Sequence, residues 1–314
     1  MSYSQMFSCN ICPRNCGIDR TKNKGYCGVT DKLRINLATR HFGEEPCFSG
    51  TRGSGTIFFA GCNLRCVYCQ NYEISTLCWG KDISVEELIR LMLKLQEEGA
   101  HNINLVTPTH FTLQLREAII QAKEKGLTIP VLWNSSAYEK VETLQLLTGL
   151  VDIYLPDFKY AHKVYAQKYS SAPDYPAVAI SAIKEMFSQV GLLELDEKGI
   201  AQKGLLLRML VLPNKLAGCK ENLYTLTEEL GTELTLSLMG QYYPAGKAKN
   251  YKELTRGITL SEYFEVVDTA VELGFTKLYT QEISSSDTWT PNFSPAPEEI
   301  NPVSEFNPQL ELTL

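Results

Sequence analysis

The sequence predicts an α/β protein in which parallel strands, covered by helices, form an open or closed barrel. Two observations predict it. Short, near-continuous apolar runs alternate with helical patterns from Gly55 to Gln281, as in sheets buried on both faces. The units number six or seven, which suits a barrel better than a two-layer sheet. The composition agrees: 44% hydrophobic and 21% charged residues are ordinary for a globular protein. A length of 314 residues sets a prior of roughly two domains, although α/β barrels often run longer as one.

The first 50 residues are rich in Cys, Gly, Arg and Asn and have little apolar periodicity. Such a segment needs a metal or the main domain to hold its shape. Residues 56–60 form an apolar run ended by Gly61 and read as a buried strand. Residues 84–98 read as a helix: Ser84 and Glu87 make a capping box, Val85, Leu88, Met92 and Leu95 share a face, and Gly99 ends it. Strands are then expected at 104–107, 129–133, 151–155, 205–212, 234–239 and 278–281. Helices are expected at 111–125, 139–147, 175–190, 221–230 and 261–273, the last capped near Ser261. From Ser284 the chain carries five prolines, and residues 284–314 read as a surface or disordered tail. The expected organisation is a Cys-rich N-terminal metal-binding extension over 1–50, a barrel over 51–283 and that tail.

The net charge of −6 disfavours a protein whose main partner is a nucleic-acid backbone. No apolar stretch approaches the roughly 20 residues that a membrane helix needs; the run at 205–212 is broken by Arg208. Met1 to Phe7 lack a signal-peptide pattern, so the expected compartment is the cytoplasm. Ten cysteines are present and nine precede residue 79. In a reducing compartment that clustering reads as metal binding rather than disulfides.

The sharpest signal is Gly61-Cys62-Asn63-Leu64-Arg65-Cys66-Val67-Tyr68-Cys69-Gln70-Asn71, a C-x3-C-x2-C loop directly after the first apolar strand. Cys62, Cys66 and Cys69 suit a [4Fe–4S] cluster held through three of its irons, with the fourth left open to a substrate or cofactor. The plainer reading is a zinc knuckle that borrows a fourth ligand. Cys9, Cys12, Cys16 and Cys27 form a second set, suited to a structural zinc or a closed second iron–sulfur cluster, with free thiols as the bland alternative. Cys47, Cys78 and Cys219 read as structural thiols. His110 ends a strand, and a structural role is as well supported as a proton-handling one.

The cysteine loop, with Tyr68 before its third cysteine, resembles the signature of the radical S-adenosylmethionine (SAM) superfamily, and its activating-enzyme branch most closely. The resemblance implies a partial (β/α)6 TIM-like barrel. It implies a cluster whose open iron chelates SAM, and reductive cleavage to a 5′-deoxyadenosyl radical that abstracts hydrogen. It implies a flavodoxin or ferredoxin reductant, and a glycyl radical enzyme is a candidate partner. Downstream motifs extend it over roughly residues 9 to 280. Asn134-Ser135-Ser136 is similar to the family's ribose-contacting turn, and Asp157-Phe158-Lys159 to its Asp-x-Lys. Leu207-Arg208-Met209 resembles a strand whose arginine meets the cofactor carboxylate, and Gln241-Tyr242-Tyr243-Pro244 a late strand end near the adenine. All fall at strand C-terminal ends, where barrel sites are built.

One departure is plain. Val106-Thr107-Pro108-Thr109-His110 stands where the family has Gly-Gly-Glu, so Thr107 and Thr109 are the expected acceptors for the cofactor ammonium. That variant and the Cys-rich N-terminus resemble an uncharacterised subfamily related to pyruvate formate-lyase activating enzyme. The function expected is therefore a radical SAM oxidoreductase that activates a glycyl radical enzyme or modifies a small molecule or peptide. A non-catalytic iron–sulfur or zinc module is the contrasting class.

Overall fold

Every residue of strand β2 (Ser54–Phe59) is buried, and the same holds for β4 (Ile103–Val106), β5 (Val131–Ser135), β6 (Ile153–Pro156) and β9 (Thr235–Met239). Strands lose both faces to the interior only when something covers each side. Outside them lie helices α3 (Val85–Glu97), α4 (Thr112–Glu124), α5 (Val141–Leu144), α6 (Lys163–Ser170), α7 (Tyr175–Val190), α8 (Cys219–Leu230) and α9 (Leu260–Glu272). These facts come from a computed structural model, which describes residues 8–283, 291–297 and 300.

With β8 (Ala201–Leu210) and β10 (Leu278–Thr280), the five strands make a parallel series in the spatial order β2-β4-β5-β6-β8-β9-β10. The two ends of the sheet do not pair, so the barrel is open. Because the strands are parallel, their C-terminal ends share one rim. A short strand β7 (Glu194–Leu195) folds back on β8.

The expected elements are found with shifted bounds. The α3 capping box is present: Ser84 accepts from the Glu87 N–H and the Glu87 carboxylate accepts from the Ser84 N–H. For α9 the cap is Thr259, not Ser261, because Glu262 stands three residues after the threonine. The helix expected over 139–147 shortens to α5 followed by a 3-10 turn at Gln145–Leu147.

Besides α6, β7 and short helical turns, two features lie outside the sequence expectations. Within the first 50 residues, β1 (Leu33–His41) pairs antiparallel with β2 and with β3 (Lys81–Ile83), so part of the Cys-rich segment belongs to the main sheet. Next, α1 (Pro46–Ser49) plugs the lumen. Cys47 and Phe48 pack with Leu132, Ile153, Leu155 and Leu206, an apolar cluster separate from the core between strands and helices. The expected tail is described at 291–297, where Phe293 stacks edge-on to Phe58 at 5.5 Å and Ser294 pairs with the Asn36 amide. The rest of that tail lies outside the described residues.

Residues 8–30 are tied down by arginines. Arg14 donates to the carbonyls of Asn63, Leu64, Ser170 and Ser171 and lies over the Tyr26 ring at 3.8 Å. Arg20, 1% exposed, donates to the carbonyls of His110 and Thr30. Each bond from a charged donor to a carbonyl is worth about 1.5–3 kcal/mol when its loss strands the acceptor. Arg14→Leu is therefore expected to lower unfolding free energy by about 2 kcal/mol, measured by urea denaturation, and to expose residues 8–30 to protease first. An unchanged midpoint would mean that the segment is held by other contacts.

Candidate active site

The cysteine loop leaves β2 through Gly61, whose φ of +84° suits glycine; a Cβ there would come within 2.7 Å of the Cys27 carbonyl. That carbonyl accepts from the Cys62 N–H at 3.2 Å, joining the two cysteine sets by one hydrogen bond. Arg65 adopts a left-handed φ of +53°, and the successive N–H groups of Leu64 and Arg65 aim at Cys62 Sγ at 3.4 and 3.5 Å. Ser170 Oγ donates to Cys66 Sγ at 3.1 Å and Ser75 Oγ to Cys69 Sγ at 3.3 Å. Each sulfur thus has a protein donor, as a thiolate requires when it serves as an iron ligand. The donor set fits a cluster. As free thiols the same groups are hard to ionise: burial pushes Cys69 up to about 12 and raises Cys62.

Lys159 supplies positive charge here. Burial pulls its pKa down, but Asp157, at 2.7 Å, and the nearby Cys66 and Cys69 sulfurs outweigh that and hold the ammonium charged. Tyr175 braces the turn: its hydroxyl receives the Lys159 N–H and faces the carbonyls of Asp157 and Ser136.

At the next rim positions, Thr107 takes a φ of +61°, strained for a β-branched residue, and donates its N–H to the Asn134 carbonyl at 2.8 Å. These two stay together at the mouth. Three expected contacts change. Thr109 is 1% exposed and its hydroxyl bonds Glu139 instead of facing the mouth. Ser135 also bonds Glu139, as does the Trp133 indole at 3.1 Å. Arg208, expected to meet a cofactor carboxylate, is engaged by the chain's own Glu44 and Glu45. His110 resolves to a structural role: burial, then the Arg20 charge, lowers it to about 3, and its neutral ring bonds the Ala60 carbonyl at 2.9 Å.

Glu44, Glu45, Glu139, Ser75 and Ser170 are the site residues that sequence reasoning missed. Glu139 opens an expected surface helix, and nothing local marks it as buried. Ser170 acts 104 positions away from Cys66.

In the N-terminal set Cys9, Cys12 and Cys27 are buried and Cys16 is half-buried. Burial, then the neighbouring thiols, raise Cys12 to about 12 against an opposing Arg14 N–H. The Tyr26 N–H points at Cys16 Sγ, 3.3 Å away. Among the described residues no three Cys, His, Asp or Glu side chains are arranged to hold a single metal ion.

Glu139 gives a pH signature. Burial lifts its carboxyl from 4.5 to about 7, against the bonds from Ser135, Trp133 and Thr109. The folded state then holds a proton that the unfolded state releases, so its contribution to stability falls as pH rises from about 4.5 to about 7. Glu139→Gln stays neutral throughout. The variant's stability relative to the parent should therefore rise between pH 4.5 and 7.5, by on the order of 3 kcal/mol at most, and the difference between their Tm values should rise with it. Parallel Tm curves would refute this.

Residues 56–189 match the family model of the Radical SAM superfamily, a segment that starts in β2 and contains the cysteine loop. An uncharacterized protein of Methanocaldococcus jannaschii is 29% identical over 281 residues, covering 87% of this chain and 77% of that protein. The pyruvate formate-lyase-activating enzyme of Clostridium pasteurianum is 40% identical over 40 residues, 13% of this chain and 17% of that enzyme. Among solved structures, a radical SAM methyltransferase from Sphaerobacter thermophilus aligns with a TM-score of 0.48 and 14% identity, over 72% of this chain and 65% of that one. The FeFe-hydrogenase maturase from Carboxydothermus hydrogenoformans aligns with a TM-score of 0.46 and 14% identity, over 70% and 56%. The chain thus spans less than two thirds of either solved structure. The family match and the cysteine loop fall on the same part of the chain: residues 56–189 are similar to the Radical SAM superfamily, with the loop at the end of the first parallel strand.

Proposed function

We propose that the chain is a radical SAM enzyme that abstracts hydrogen from a substrate bound in the barrel mouth. The observation that carries this is the three-cysteine loop in which every sulfur already has a hydrogen-bond donor from the protein. When bound, a [4Fe–4S] cluster on Cys62, Cys66 and Cys69 supplies the electron for reductive cleavage of SAM. The remaining work falls to the chain. Ser75, Ser170 and the loop amides fix and stabilise the sulfurs. Asp157 holds Lys159 against them and keeps its charge. Thr107 and Asn134 offer polar groups to the cofactor, and Glu139 positions Thr109 and Ser135 behind them. A small low-potential carrier of the flavodoxin or ferredoxin type supplies the electron.

Activation of a glycyl radical enzyme is the narrower form of this reading, supported by the 40-residue likeness to an activating enzyme. Modification of a small molecule or peptide is favoured instead by the charged lining of the lumen. A non-catalytic metal module is disfavoured, since a structural site has no use for three thiolates and an open fourth position. No helix among the described residues is long and apolar enough to cross a membrane, and a cytoplasmic location is part of the proposal.

The reduced, reconstituted protein should release 5′-deoxyadenosine from SAM under anaerobic conditions. Cys62→Ala, Cys66→Ala and Cys69→Ala should each reduce that release to background, read by liquid chromatography. Cleavage surviving any one of the three would remove the assignment.

Cys9, Cys12, Cys16 and Cys27 are proposed to hold a second site, either zinc or iron–sulfur. The double replacement Cys9→Ala and Cys12→Ala should lower zinc or iron per chain while the catalytic cluster still assembles. Unchanged metal content by elemental analysis would mean that these thiols are simply buried.

A further inference from the structure

We propose that the lumen beneath the cysteine loop takes a cationic nitrogen group of the substrate, an ammonium or guanidinium, against Glu44, Glu45 and the Oδ1 of Asn104. This rests on the radical SAM reading, because it makes the rim the reacting end of the barrel.

Charges alternate down the lumen. Lys159 pairs with Asp157, whose backbone forms a parallel bridge with that of Arg208 and whose charge acts on the guanidinium. Arg208 Nε donates to Glu45 Oε1 at 2.8 Å, and its Nη2 serves both Glu44 and Glu45. Two cations therefore face three carboxylates, which leaves one negative charge uncompensated. The side chains of Glu44 and Glu45 are 8% and 7% exposed. A charge that deep is costly without a partner. Burial, the largest influence on His41, lowers its pKa and disfavours a charge there, against the pull of Glu44.

A second shortage lies at the same place. Asn104 is fully buried and its Nδ2 donates to Glu44 Oε1 at 2.8 Å, which fixes the amide's orientation. Its Oδ1 has no hydrogen-bond partner among the described residues. Buried acceptors are nearly always satisfied. Water would fill the acceptor but not the charge. A bare metal ion is disfavoured because no three acidic side chains are arranged around one point. A cationic nitrogen supplies both the donor and the charge.

The walls fit such a group. Val106 stands two residues beyond Asn104 on the same strand, hence on the same face, and packs with Phe58. An alkyl stem entering from the rim would run along this apolar wall and place its head at the carboxylates. Cys47 and Phe48 close the lumen below.

The test uses anaerobic holo-protein with SAM, titrated calorimetrically with Nα-acetyl-lysine methylamide, Nα-acetyl-arginine methylamide and the apolar isostere Nα-acetyl-norleucine methylamide. At least one cationic probe should bind ten-fold or more tightly than the norleucine probe, and Glu44→Gln should remove that preference. Equal binding of all three probes to the unmodified protein would overturn the proposal, whatever the variant's stability. Unchanged preference in a folded Glu44→Gln variant would do the same. Deoxyadenosine release by the unmodified protein is measured alongside. If release is absent, the radical SAM reading fails. If it is present without cation preference, only the pocket assignment fails.

Discussion

Three sulfurs on a loop with no core of its own must be held at a barrel rim, and most of the surrounding architecture answers to that constraint. The loop's own amides satisfy Cys62, while the other two sulfurs depend on hydroxyls brought from α6 and from the turn after the loop. Tyr160 in turn bonds Ser170 at 2.8 Å and packs on Tyr68, so the hydroxyl that meets Cys66 is itself oriented from behind. Arg14 then ties the N-terminal segment to both the loop and the end of α6. The hold is a web of directional bonds added to the burial of Leu64, Cys66 and Tyr68 in the core. Its members are set by geometry more than by hydrophobicity.

This division explains what could be read from the chain alone. Buried parallel strands announce themselves as apolar runs, and the parallel series was expected at nearly its observed positions. The C-x3-C-x2-C loop is local, so its spacing carried its chemistry. Strand β1 escaped notice because its outward residues include Arg34 and Arg40, and half-exposed antiparallel strands interleave polar with apolar positions. The plug α1 has only four residues, too few for any helical periodicity to show.

The site was legible where a residue acts on its own neighbourhood and hidden where it acts at long range. Asp157 and Lys159 are two apart and were expected together at the cofactor, and they meet as an ion pair. Glu44 and Arg208 are 164 apart, and no spacing rule joins them. Arg208 was correctly placed on a strand facing inward, yet its partner could not be foreseen: a guanidinium fork accepts any carboxylate of suitable geometry, and the chain provides two before a cofactor arrives. Thr109 failed for a related reason, because a buried acid behind it offers a stronger claim on its hydroxyl than the open mouth does.

The contact of Phe293 and Ser294 with β1 and β2 bears on how wide the site's entrance is. A closed barrel has its diameter dictated by strand number and stagger. Here β10 lies at one edge of the sheet, and residues 291–297 meet Phe58 and Asn36 near the other by an aromatic contact and an amide pair. Substitutions at Phe293 or Ser294 would alter that side of the rim without shifting a single strand pairing. The dimensions of the opening and the chemistry at its base are thereby separable traits, free to be altered one at a time.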